Sequence, residues 1–133
     1  MTKIAVLGGG QIGEALVSGL VNAGYDAADI VVTNRRPERG EELQSAYGVA
    51  VTSDNAKAID SADYIFACVK PYAIVELLEG LDISTDAVLV SMAAGLTLDT
   101  LEKAAGNGVP VVRVMPNTPM LVGKGMCLSL IHI

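Results

Sequence analysis

Residues 3–20 read KIAVLGGGQIGEALVSGL. A short apolar run, Ile4 to Leu7, meets three consecutive glycines. Within a few residues Ile12, Leu16, Leu20 and Val21 recur at helical spacing. The run predicts a strand, and the pattern predicts a helix over residues 11–23 that Gly24 ends. Glycine is the most flexible residue, so its place at a helix start has two explanations. Either the turn is merely tight, or something must come very close to the backbone.

The same alternation continues outward. DIVVTN (29–34) is a second strand, and residues 37–48 form a helix opened by Pro37 and closed by Gly48. VAVT (49–52) is a third strand, followed by a short helix over residues 53–62 with Ser53 or Asp54 as its cap. DYIFACV (63–69), AVLVSM (87–92) and VPVVRVM (109–115) read as strands four to six. Helices are predicted between them, from Pro71 to about Leu78 and over residues 98–106. Strands alternating with helices over short connections predict an α/β fold, a doubly wound parallel Rossmann sheet with helices on both faces.

Composition agrees. A length of 133 residues suggests one domain. Half of the residues are hydrophobic, but there is no Trp and one Phe. The core is therefore Val, Ile, Leu and Ala, as strands covered on both faces require. A net charge of −6 argues against general affinity for nucleic-acid phosphates. No apolar run approaches bilayer length, and the glycines with Glu14 interrupt the first run too early for a signal peptide. Cys68 and Cys127 lack metal-like spacing, so they read as reduced thiols of a cytoplasmic protein with no metal site. The single histidine, His132, lies too near the C-terminus to be a good catalytic candidate.

Gly8, Gly10 and Gly13 fit G-x-G-x-x-G after a strand and at the start of a helix, the context that gives this spacing meaning. In that reading Gly8 permits the turn, Gly10 lets a pyrophosphate approach, and Gly13 lets helix and strand pack closely. Backbone N–H groups at the helix start, including those of Gln11 and Ile12, face the phosphates. At the end of strand two, where NAD sites usually carry an acid, the sequence is TNRRPER (33–39). Asn34 can hydrogen-bond a ribose, and Arg35 and Arg36 can hold a 2′-phosphate. Hydrogen bonds to charged groups are worth roughly 1.5–3 kcal/mol, so NADP(H) is preferred by about one to two decades, with NAD(H) as the alternative. Glu38 and Glu41 read as helix surface. Three further stretches follow strands four to six: VKP (69–71), SMAAGLT (91–97) and MPNTP (115–119).

Together these stretches, and above all VVRVMPNTPMLVGKGM (111–126), resemble the pyrroline-5-carboxylate reductases over nearly the whole chain. The resemblance implies NAD(P)H-dependent reduction of a cyclic imine, 1-pyrroline-5-carboxylate, to L-proline. It implies that Gly8, Gly10, Gln11, Ile12 and Gly13 hold the pyrophosphate, and that Asn34, Arg35 and Arg36 hold the adenosine ribose or its phosphate. Asn55 would lie near the adenine, and Val69, Lys70 and Pro71 along the nicotinamide ribose. Ala93, Ala94, Met115, Pro116 and Asn117 would surround the nicotinamide. Lys70 is the sole catalytic candidate, as an electrostatic aid.

Family members continue into a helical domain that intertwines in a homodimer and completes the substrate pocket. Residues 1–126 are accordingly assigned to the dinucleotide-binding domain. Residues 127–133 form an atypical tail, read as a truncated or misread coding end in preference to a last strand. The expectation is a monomeric chain that binds cofactor without turnover. Two other classes stay open: another NADP-dependent oxidoreductase of the superfamily, such as a deazaflavin-dependent NADP reductase or a β-hydroxyacid dehydrogenase, and a non-enzymatic nucleotide sensor.

Overall fold

A computed structural model describes residues 3–8, 10–34, 36–69, 71–83, 86–91, 98–106 and 108–113. Its elements alternate as the sequence predicts: β1 (Ile4–Leu7), α1 (Gln11–Asn22), β2 (Ile30–Thr33), α2 (Pro37–Tyr47), β3 (Ala50–Thr52) and α3 (Asn55–Ile59). The second half comprises β4 (Tyr64–Ala67), α4 (Pro71–Glu79), β5 (Val88–Ser91), α5 (Leu98–Ala105) and β6 (Val111–Arg113). A 3₁₀ turn, Ala27–Asp29, leads into β2, with Asp26 accepting from the Ala28 N–H.

All six strands are parallel, in the order β3-β2-β1-β4-β5-β6. β1 sits at the centre and is wholly buried. Its side chains alternate between the two faces, which splits the core in two. Ile4 and Val6 join Ile30, Val32 and Phe66 beneath Leu16, Val17 and Leu20 of α1 and Leu43 of α2. Ala5 and Leu7 join Ile65, Ala67 and Leu89 beneath Ile74 and Leu78 of α4 and Leu101 of α5. Both faces of each central strand are thus covered, which is why these strands read as continuous apolar runs.

Helix ends follow local chemistry. Pro37 opens α2, and Gly48 closes it in the left-handed region at φ 77°, its N–H donating to the Gln44 carbonyl. Asp54, rather than Ser53, caps α3 by accepting from the Lys57 N–H. Register aligns Leu7, Thr33, Thr52, Ala67, Ser91 and Arg113 across the C-terminal edge of the sheet. After β1 the chain winds towards β3; after β4 it winds the other way. The crevice between the ends of β1 and β4 is therefore the topological switch point, where ligands bind in this fold.

Candidate dinucleotide site

Gly8 leaves β1 at φ 106°, a conformation strained for any residue with a Cβ. Its N–H donates to both oxygens of Thr33, to the carbonyl at 3.1 Å and to Oγ1 at 3.3 Å. A Cβ at Gly8 would lie 2.9 Å from Val69 Cγ1 and 3.0 Å from the Cys68 carbonyl oxygen. A Cβ at Gly13 would collide with the Gly8 carbonyl oxygen. Gly13 lets α1 press onto its own entry turn, and Gly8 lets that turn lie against the residues that follow β4. Gly10 is different, because a Cβ there would meet nothing within 4 Å among the described residues.

Gly10 is also the N-cap of α1, in extended conformation and with no side-chain cap hydrogen bond. The first helical bond runs from the Glu14 N–H to the Gly10 carbonyl at 2.9 Å. The N–H groups of residues 11–13 therefore precede any intrahelical acceptor and carry the positive end of the helix dipole. With the backbone open at Gly10, such a helix start suits a phosphate.

That space opens into a cleft of about 650 Å³. Of the residues predicted from sequence, Gly8, Gly10, Asn34, Arg36, Asn55 and Val69 line it. Asn34 Oδ1 accepts from the Arg36 N–H at 2.9 Å, a local turn that sets the chain's path out of β2. Arg35, Lys70, Ala93, Ala94, Met115, Pro116, Asn117, Cys127 and His132 lie outside the described residues, as does the tail 127–133. Gln11, Ile12 and Pro71 are placed by backbone alone, at the starts of α1 and α4.

Several lining residues were not anticipated. The sequence suggests Ser53 only as a cap and Glu38 only as surface; Ser53 lines the cleft, and Glu38, though exposed, lines it too. Ala73 and Leu77, one helical turn apart on α4, supply an apolar wall. Arg39 and Glu42 of α2 line the cleft as well. Arg39 donates from Nη2 to Glu14 of α1 and from Nη1 to Glu42 at 3.1 Å. The Tyr47 hydroxyl donates to the second Glu14 oxygen at 2.9 Å. The Tyr47 and Arg39 hydrogen bonds together hold the Glu14 carboxyl below its ordinary pKa, and Glu14 and Glu42 raise that of Arg39. The spacing of Arg39 and Glu42 was a usable signal; their tie to Glu14 was not, because it spans 25 residues.

Cys68 packs against the α1/α2 side of the core, and burial pushes its thiol up to about 12. It is a free, protonated thiol at neutral pH. Among the described residues no cluster of His, Cys, Asp or Glu can hold a metal ion, and no helix is long and apolar enough to cross a membrane.

Fold and cleft together define a nucleotide-binding domain of the oxidoreductase kind. The chain belongs to the family described as NADP oxidoreductase coenzyme F420-dependent, whose model matches residues 3–95. It is 56% identical over 131 residues to a pyrroline-5-carboxylate reductase of Corynebacterium melassecola, covering 95% of this chain and 48% of that protein. A solved pyrroline-5-carboxylate reductase from Coxiella burnetii superposes with a TM-score of 0.85 at 34% identity, covering 91% of this chain and 46% of that one. The corresponding Plasmodium falciparum enzyme, solved with NADP bound, gives a TM-score of 0.78 at 28% identity over 92% of this chain and 45% of its own. This chain spans about half the length of the curated relatives it matches.

Proposed function

We propose that this chain is the dinucleotide-binding half of a reductase that converts 1-pyrroline-5-carboxylate to L-proline, with NADP(H) preferred over NAD(H). The carrying observation is the open space at Gly10, beside an α1 N-terminus that no side chain caps. An anion-binding cradle of this kind fits a pyrophosphate. Gly8, Gly10 and Gly13, with the N–H groups of Gln11 and Ile12, hold it. Asn34, Arg35 and Arg36 take the adenosine ribose and its phosphate, and Asn55 lies by the adenine. Val69, Lys70, Pro71, Ala93, Ala94, Met115, Pro116 and Asn117 serve the nicotinamide end, Lys70 as an electrostatic aid to catalysis. The imine substrate is inferred from the relatives' names.

When bound, the nicotinamide supplies the hydride that reduces the imine carbon; the protein orients it and excludes water. Reduction also requires the imine to be held against that carbon, and positioning of both reactants dominates such rates. Residues 1–126 carry the cofactor's share of this work. The 133-residue polypeptide is expected to bind NADPH.

Calorimetric titration with NADPH and NADH, beside an Arg35→Ala/Arg36→Ala variant, tests the reading. Tighter NADPH binding that the variant loses supports it. Absence of binding by a folded wild-type chain sinks it. A second reading draws on the family description: hydride exchange between NADP and a deazaflavin. Reduction of a deazaflavin by NADPH, monitored by its absorbance, would favour that reading, and activity with pyrroline-5-carboxylate would not.

A further inference from the structure

We infer that Arg39 shares the adenosine-side phosphate with Arg36 and so contributes to the dinucleotide preference: held on the cleft wall by Glu14, its guanidinium takes that phosphate in exchange for Glu42. This rests on the dinucleotide reading above. Arg39 lines the cleft together with Asn34, Arg36, Glu38, Glu42, Ser53 and Asn55. Its two terminal nitrogens have unlike partners. Nη2 binds Glu14 across the α1–α2 interface, and Tyr47 holds the other Glu14 oxygen at 2.9 Å. Nη1 binds Glu42 at 3.1 Å, a pair within one helix whose carboxylate side chain is 65% exposed. The first contact is anchored twice, by an arginine and a phenol. The second is a solvent-facing ion pair of the kind that contributes little.

Glu14 holds the planar guanidinium at Nη2, and Nη1 meets Glu42 at the cleft wall. A phosphate monoester brings up to two charges and three acceptor oxygens, so it outcompetes one solvated carboxylate for Nη1. Glu42 is thus a placeholder. It satisfies Arg39 when the ribose carries a hydroxyl and yields when it carries a phosphate. Glu14 is a positioning residue that acts through Arg39, and Tyr47 steadies Glu14. Arg39 favours the phosphate, whereas Glu42 opposes it, so substitutions at the two should shift the preference in opposite directions.

Calorimetry of the 133-residue chain with NADPH and with NADH separates the roles. Arg39→Gln is expected to weaken NADPH about tenfold and to leave NADH within about twofold. Glu42→Gln is expected to tighten NADPH several-fold with NADH unchanged. Glu14→Gln is expected to weaken NADPH selectively, by less than Arg39→Gln does. A purely structural clamp would weaken both nucleotides in parallel; that result, or NADPH binding indifferent to Arg39→Gln, overturns the inference. Should Arg39→Gln fail to fold, Arg39→Lys keeps the charge without the planar fork and should still lose part of the NADPH preference. Wild-type chain that binds both nucleotides equally leaves dinucleotide binding standing but removes both the NADP(H) preference and this inference. Wild-type chain that binds neither removes the dinucleotide reading as well.

Discussion

On the packed side of the glycine turn, a methyl group at Gly13 would collide with the Gly8 carbonyl; on the open side, a methyl at Gly10 would meet nothing within 4 Å among the described residues. The two positions are three apart in sequence. One glycine is needed by the fold, because α1 cannot otherwise rest on the end of β1. The other is not needed by any contact inside the described fold. A glycine that no described contact requires leaves its backbone open to a ligand, and on the dinucleotide reading proposed above the neighbouring helix N-terminus receives an anion.

Substitutions can break this contrast. Gly13→Ala should be the most damaging, at or above the roughly 3 kcal/mol that overpacking usually costs, since the clash is with backbone rather than a movable side chain. Chemical denaturation would read it, and a loss under about 1 kcal/mol would show that α1 can slide off its turn. Gly8→Ala combines the strain of φ 106° with contacts at 2.9 and 3.0 Å, and should cost about 2 kcal/mol. Gly10→Ala should leave stability within about 1 kcal/mol, the scale of an N-cap change. It should nonetheless weaken NADPH about tenfold or more, about 1.4 kcal/mol.

Titration sharpens the comparison at lower amplitude. Glu14 has its pKa lowered by Tyr47 and Arg39. Its contribution to stability is therefore present above about pH 4.5, its ordinary value, and is lost as pH falls through the lowered pKa. Glu14→Gln should flatten the acid limb of a stability–pH curve. Cys68 behaves oppositely, with a thiol raised from 9.0 to about 12. Across that window the unfolded chain releases a proton that the folded chain keeps, so stability falls as pH rises. Cys68→Ala should remove that part of the alkaline slope; an unchanged slope would assign it to other groups.

Much of the fold was legible because its strands are apolar runs and its helices begin and end on Pro and Gly. Pro37 and Gly48 bound α2 as read, and Gly8, Gly10 and Gly13 sit where strand passes to helix. Ser53 and Asp54 were equivalent as caps until backbone geometry put Asp54 in reach of the Lys57 N–H. The cleft's wall was less legible. Asn34, Arg36 and Asn55 were found because they follow strand ends. Arg39, Ala73 and Leu77 come from helices, and which helical face meets the cleft depends on how α2 and α4 cross the sheet. The link from Glu14 to Tyr47, 33 residues apart, is a product of packing that no local pattern announces.

The most direct test is an NADPH titration of wild-type chain and Gly10→Ala, side by side, with the melting temperature of each. The account predicts saturable NADPH binding by wild type, a loss of about tenfold or more in Gly10→Ala, and melting temperatures that nearly coincide. Equal affinities in two folded proteins, or no binding by wild type, would contradict it: the space beside Gly10 would then belong to the turn and to no ligand.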